Sequence, residues 1–310
     1  AALAEPPHQG GRVDRGHGFH FRHDSLQEAL LAGLSPERAR SLHGRVASVL
    51  LGDDDIDEGV VGWHLLEAGE DLRGAELLES AGRTLYDAQA LADCIQPLSA
   101  ALAVRARHGA SEVDLAELHF LLLSAGWVSD EPTGRKHAEP ALRAWSRISG
   151  LSVASRTARV LGARLGMLVG VCWANLRWMF RLFRGPGPLR SMTLFALALG
   201  YGSALSYAAN RRRELDAFIE LGRPFRAFRG LAPYAGYAFV LALRHILHGH
   251  LGRADTEISQ ALRLVRKRFL NPMSPDERRL VEAGVLSVRI LIYVNQVEHA
   301  RLQQDIALLL

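Results

Sequence analysis

The chain has 310 residues, long enough for one large domain or two ordinary ones, and its 48% hydrophobic and 23% charged content excludes wholesale disorder. Only 7% of residues are aromatic, and Ala and Leu outnumber β-branched residues, a balance that favours helices packed on helices over sheets. A net charge of +4, from 37 basic and 33 acidic residues, is too small to argue for nucleic acid.

In chain order, residues 1–16 are polar and rich in Pro and Gly, and read as a linker. Residues 17–23 alternate Phe19 and Phe21 with His20 and Arg22, which predicts a short strand. Asp24 or Ser25 can cap a helix carrying Leu26, Leu30 and Leu31 that ends at Gly33. Ser35-Pro36-Glu37 is a helix start: a capping hydroxyl, a proline at the first helical position and an acid in the first turn. Beyond Asp57 the pattern predicts paired helices near 58–68, 72–88, 90–107, 113–126, 136–149, 152–183, 188–210, 214–228, 234–250, 254–269 and 275–308. The loops hold Gly and Pro, as in Glu131-Pro132-Thr133-Gly134 and Gly185-Pro186-Gly187-Pro188. Pairs of this kind stack into an array whose concave face can hold a partner.

Familiar catalytic signatures are missing. Lys136 and Lys267 are the only lysines, and neither is preceded and followed as a phosphate-binding Gly-x-x-x-x-Gly-Lys-Ser/Thr loop requires. A nucleophile elbow, a kinase catalytic loop, a His-Glu-x-x-His helix and a Cys-x-x-Cys pair are all lacking, so the expectation is a chain with no catalytic residues. Cys94 and Cys172 are too few for a disulfide framework and suggest a reducing, cytoplasmic compartment. His17, His20 and His23 do not converge on a strand, nor do His245, His248 and His250 on a helix, so no metal is expected. The Asp53–Asp57 run lacks the glycine and glutamate positions of a calcium loop. Arg211-Arg212-Arg213 and Arg266-Lys267-Arg268 are expected at helix C-termini, where the dipole favours cations. Ser191 to Asn210 carries no charge over twenty residues, which fits either a fully buried helix or a membrane span.

Two stretches together resemble a known family. FHFRHDSLQEA (19–29) is similar to the end of the winged-helix domain of STAND ATPases, the multidomain signal-transduction NTPases of bacterial regulators. LHGRVASVLL (42–51) and residues 62–102, with Trp63-His64, Ala68-Gly69-Glu70, Ala75, Ala81 and 92–102, resemble the tetratricopeptide-like array that follows it, and 234–268 resembles another helix pair more loosely. The resemblance implies an all-α tetratricopeptide-like solenoid preceded by a short winged-helix remnant at 17–52. First repeats would lie at 53–110 and C-terminal repeats at 231–310; residues 111–230 either continue the array or form a separate bundle. It also implies an ATP- or ADP-binding domain upstream in the same polypeptide, often with a protein kinase or transcriptional output. In such switches the His of a Met-His-Asp triplet meets the nucleotide's β-phosphate. Here the triplet is Arg22-His23-Asp24, so His23, with Arg22 beside it, inherits that role by position. The chain is then expected to be a non-catalytic sensor or scaffold arm that binds a protein partner or small inducer. Trp63, His64, Tyr86, Trp127 and Tyr237 are candidate contacts, being large and amphipathic. A free-standing adaptor, or a membrane-associated protein with a span near 191–210, is the alternative.

Overall fold

The computed structural model describes residues 33–52, 56–151, 172–176, 186–267 and 271–296, together with Val169 and Ile306. The expected strand at 17–23, the helix before Gly33 and most of the helix expected at 152–183 lie outside these residues, as do His23 and Arg22. Every regular element among the described residues is a helix. The chain divides into two compact units, 1–78 and 79–310.

In the first unit, α1 (Pro36–Leu50) starts as its sequence dictates: the Ser35 hydroxyl accepts from the Arg38 N–H at 3.4 Å and Pro36 opens the first turn. Helix α2 (Glu58–Ala68) is capped by Asp57, which accepts from the Val60 N–H at 3.1 Å. It ends at Gly69, whose φ of 90° lets the Gly69 and Glu70 N–H groups reach back to Leu66 and Leu65. Ala47, Val61 and Leu65 form the buried contact of the two helices. The start of α3 (Asp71–Asp87) closes on α2 where Gly62 and Gly74 face each other; a Cβ on Gly62 would lie 3.0 Å from the Gly74 carbonyl.

The second unit begins with the rest of α3 and contains α4 (Ile95–Arg107), α5 (Glu112–Ser129), α6 (Glu131–Ile148), α7 (Pro188–Ala208), α8 (Arg212–Gly222) with its 3-10 continuation 223–228, α9 (Pro233–Leu247), α10 (Leu251–Arg266) and α11 (Pro275–Gln296). Consecutive helices α5 and α6, α9 and α10, and α10 and α11 lie against each other, while α7 touches α5, α6, α8 and α9. One continuous apolar core runs from Val113 on α5 to Tyr293 on α11.

Helix α7 is the centre of this unit. All its residues from Ser191 to Ser206 are buried. The hydroxyls of Ser191, Thr193 and Ser203 bond back to Gly187, Leu189 and Leu199, so burial leaves these three satisfied. The uncharged run at 191–210 is therefore a helix sheathed by protein. No described helix is long and apolar enough to cross a membrane, which corrects the alternative of a span there.

Two further expectations are corrected. Glu131-Pro132-Thr133-Gly134 is the first turn of α6 and not a loop, because Pro132 suits a helix N-terminus and only Asp130 is needed to reverse the chain. The Arg211–Arg213 triplet opens α8 instead of closing α7: Asn210 takes the left-handed conformation at φ 53° and ends the earlier helix first. Glu214 then supplies the acid that the first turn of α8 favours.

The tight turn brings α5 and α6 to backbone contact. A Cβ on Gly126 would sit 2.3 Å from the Gly134 nitrogen, and one on Gly236 would sit 2.0 Å from the Ala196 carbonyl oxygen. Backbone cannot yield as a flexible side chain can. Gly126→Ala is therefore expected to destabilise the fold by roughly 1–3 kcal/mol or more. Gly252→Ala, in a helix with open space around the added methyl, should instead stabilise by up to about 1 kcal/mol. Urea unfolding of the two variants, monitored by circular dichroism, checks both signs.

Candidate functional site

Among the described residues of the second unit is a groove of about 720 Å³ with α7 as its floor and α6 and α8 as its walls. Small residues on α7 make it. Gly202 lets the Phe218 ring of α8 descend to within 3.2 Å of where its Cβ would stand. Ala138 and Leu142 of α6 and Leu205 of α7 are buried in the base, while Phe218 is half-buried and Leu221 of α8 is 40% exposed. The lining is mainly apolar beneath a rim of charge.

That rim consists of Arg135, Arg143 and Arg147 from α6, Arg211 at the start of α8, and Glu139 and Glu214. Each arginine is held by a carboxylate: Arg135 by Glu131, Arg143 by Glu139, Arg147 by Glu112 at 2.5 Å and Arg211 by Glu214 at 2.8 Å. Burial acts to raise the Glu214 pKa, but hydrogen bonds from Arg211 and from the Ser206 hydroxyl outweigh it and hold the carboxyl below its usual range. These exposed pairs add little stability, about 0–1 kcal/mol each, and an arriving anion can exchange with them. The four guanidinium groups of the lining are each paired with a carboxylate, so the rim is charge-balanced and an acidic visitor binds by exchanging with one of these pairs.

The other side of α6 faces a second, more polar depression of about 590 Å³ that shares Glu139, Arg143 and Arg147 and has His119 on its edge. Behind it His119 and His137 meet through their Nδ1 atoms at 2.9 Å, so one ring donates and the other accepts. His137 is only 4% exposed. Burial first, then His119 and Lys136, lower its pKa to about 4; burial and Lys136 also lower that of His119. The first unit repeats the device, with His43 and His64 joined Nδ1 to Nδ1 at 2.8 Å. Burial, then His43, lowers the His64 pKa. No group of three or more metal-ligating side chains occurs among the described residues.

The candidate contacts read from sequence fall in different surroundings. Trp63 and His64 are half-buried on α2, with His64 engaged by His43. Tyr86 and Tyr237 lie in the interior, 5% and 0% exposed. The Tyr86 hydroxyl bonds Ser124 at 2.9 Å, and burial pushes its pKa up. The Tyr237 ring is clamped against Gly222, where an added Cβ would lie 2.4 Å from it. Trp127 is half-buried as a wedge on Tyr201, ring centroids 5.0 Å apart, in space left by Gly284. Being large and amphipathic suits a residue to a core as well as to an interface, and burial decided between the two. Sequence reasoning did not single out the residues that line the groove, Arg135, Arg143 and Arg147 among them. Their spacing on α6, opposite a Gly-x-x-Leu-Ser stretch of α7, was the available signal.

No family model, no curated protein and no solved structure matches the chain.

Protonation of His137 should govern acid stability. Its pKa in the folded chain is about 4, below the ordinary 6.5 it regains on unfolding, so between those values the unfolded state binds more protons. Stability is full above pH 6.5 and falls as the pH drops towards 4, by about 3 kcal/mol in all at up to ~1.4 kcal/mol per pH unit. Urea titrations at a series of pH values will show this slope, and His137→Leu should remove about one proton from it.

Proposed function

We propose that this chain is a non-catalytic binding and regulatory module whose site is the groove between α6 and α8. The observation that carries the reading is the combination of an apolar base, Ala138, Leu142, Leu205 and Phe218, with a rim of four arginines. Apolar burial supplies affinity to such a site, and the guanidinium groups select a carboxylate-bearing occupant and fix its orientation. The occupant is an apolar segment or small inducer with acidic groups. The groove holds no arrangement of nucleophile, base and oxyanion donors, which suits binding better than turnover.

The resemblance of residues 19–29 and 42–102 to STAND ATPases supplies the context. In that setting the helical array is the sensor arm of a larger signal-transduction ATPase, winged-helix remnant and tetratricopeptide-like repeats included. Occupancy of the arm would bias an upstream ATP/ADP switch through His23 and Arg22, because only a group that meets phosphate in one state shifts a two-state equilibrium. The working compartment in this reading is the cytoplasm.

The groove is tested with an anionic, apolar fluorophore such as anilinonaphthalene sulfonate. Saturable binding of one probe per chain is expected, weakened roughly tenfold or more in Arg143→Glu/Leu221→Glu, both exposed positions whose change leaves the fold intact. Binding that the double variant leaves unchanged would remove the groove from the account. For the ATPase context, an antibody to this region should detect a native polypeptide far larger than the 310 residues. In that polypeptide His23→Ala should weaken ADP binding and uncouple the output. A native band matching 310 residues would favour the free-standing adaptor.

A further inference from the structure

We propose that the corner between α9 and α10 binds the phosphate group of a small, soluble molecule through His245, His248, His250 and Arg253. None of these residues lines the groove, so the site stands apart from it.

The first observation is convergence. On one continuous helix His250 would fall off the face that His245 and His248 share. Instead α9 ends at Leu247 and Gly249 takes a φ of 71°. The Gly249 and His250 N–H groups then return to the Ile246 and His245 carbonyls at 2.9 and 2.8 Å. That reversal brings the His250 ring to both of the others, its centroid 6.1 Å from that of His245 and 6.3 Å from that of His248. Burial lowers the His245 pKa, and Arg253, His250, Arg244 and His248 lower it further, so the other basic groups of the corner all act on one ring. His245 is half-buried, while His248, His250 and Arg253 are exposed and open to a ligand.

The second is charge without compensation. From Leu221 to Ala254 the sequence holds five arginines and three histidines and no Asp or Glu. The first turn of α10 has no acid either. The charged groups of the neighbouring helices are engaged with one another. Asp216 of α8 lies 3.6 Å from Arg244, and Asp255 of α10 lies 3.5 Å from Arg289 of α11. Among the described residues no carboxylate is paired with any of the three histidines or with Arg253.

These two observations select the ligand. Imidazolium and guanidinium groups all donate, so they suit an oxyanion, and two charge-assisted hydrogen bonds of about 2.8 Å meeting on one oxyanion join donors roughly 5 Å or more apart. A divalent metal is not served, since no set of three or more ligating side chains converges among the described residues. Among those residues no large apolar side chain between 222 and 293 is exposed, so a bilayer or a stacked base finds no apolar contact at this corner. An anion favours the charged imidazole and therefore raises histidine pKa values; binding takes up protons, and affinity rises as the pH falls through about 6.5.

Isothermal titration calorimetry of the full chain with inorganic pyrophosphate, at about pH 6 and about pH 8 and constant ionic strength, tests this. One site is expected, with affinity at least roughly threefold higher at the lower pH, and the same sign is expected with sulfate, whose own charge does not change over that range. His250→Gln/Arg253→Gln, both at exposed positions, should weaken binding at the lower pH by about tenfold or more. Circular dichroism and the binding of anilinonaphthalene sulfonate at the groove should stay unchanged in that variant, which shows that it folds. The proposal is overturned if pyrophosphate gives no binding at either pH, if the double variant binds it as well as the parent, if affinity does not rise with acid, or if vesicles containing phosphatidic acid bind and pyrophosphate does not.

Discussion

The second unit depends on how closely two helix backbones can approach. At Gly126 and Gly134, and again at Gly236 beside Ala196, no side-chain atom separates the crossing helices, and an added methyl would lie 2.0–2.9 Å from the nearest main-chain atoms of the partner. Such crossings let α7 be enclosed on several sides at once. A helix hydrophobic all round is stable only if it is sheathed, and ordinary side chains on every neighbour would hold them too far away to close the sheath. Where a large residue does intrude, a glycine makes room for it, as Gly284 does for Trp127 and Gly222 for Tyr237.

Electrostatics are arranged around this apolar centre and not within it. The hydroxyls of Ser191, Thr193 and Ser203 turn back on α7 itself while that of Ser206 reaches Glu214 of α8, and a bidentate ion pair near the start of α7, Arg190 with Glu277 at 2.5–2.6 Å, ties α7 to α11 while Arg190 also reaches the Pro272 carbonyl at 2.9 Å. Glu277 additionally accepts from the Ser274 N–H and donates its own N–H to the Ser274 hydroxyl, a reciprocal cap that fixes the first turn of α11. The two histidine pairs have a different character. Each joins neighbouring helices through a single shared proton, and burial keeps His137, His119 and His64 biased to the neutral form that the bond requires. Hairpins α1–α2 and α5–α6 are therefore each fastened by a pair of side chains whose ordinary titration range lies just below neutrality.

A groove with an apolar base and a charged rim is a consequence of the same geometry. Because α7 carries Gly202 and Ser206 where it faces outward between α6 and α8, the two walls stand apart above a low floor. The arginines of the rim, each already neutralised by a carboxylate, keep the opening soluble when nothing is bound. An amphipathic acidic occupant would exchange one set of ion pairs for another and gain the apolar contact, which gives affinity without requiring the protein to change shape.

Much of the helical layout was legible in the residues because its signals are local. Ser35-Pro36, Asp57 and Ser111 each cap the helix they precede, Gly69 ends the one before it, and the apolar stripes at spacings of three and four are seen as buried faces. The all-helical character follows from composition and needs no tertiary information. What only the tertiary structure decided is everything that depends on a second helix. The uncharged run at 191–210 reads alike for lipid and for protein, and only neighbours at glycine distance make it an interior helix. Pro132 and Gly134 read as a loop until Gly126 of the preceding helix is seen to need that glycine opposite it. Tyr86 and Tyr237 read as contacts until Ser124 and Gly222 are found beside them in the interior, and the arginines of α6 gain a common setting only where α7 and α8 supply the floor and the far wall. Local free energies of capping and periodicity are written along the chain, whereas burial is a property of pairs of surfaces, and one strand of sequence does not say which surfaces will meet.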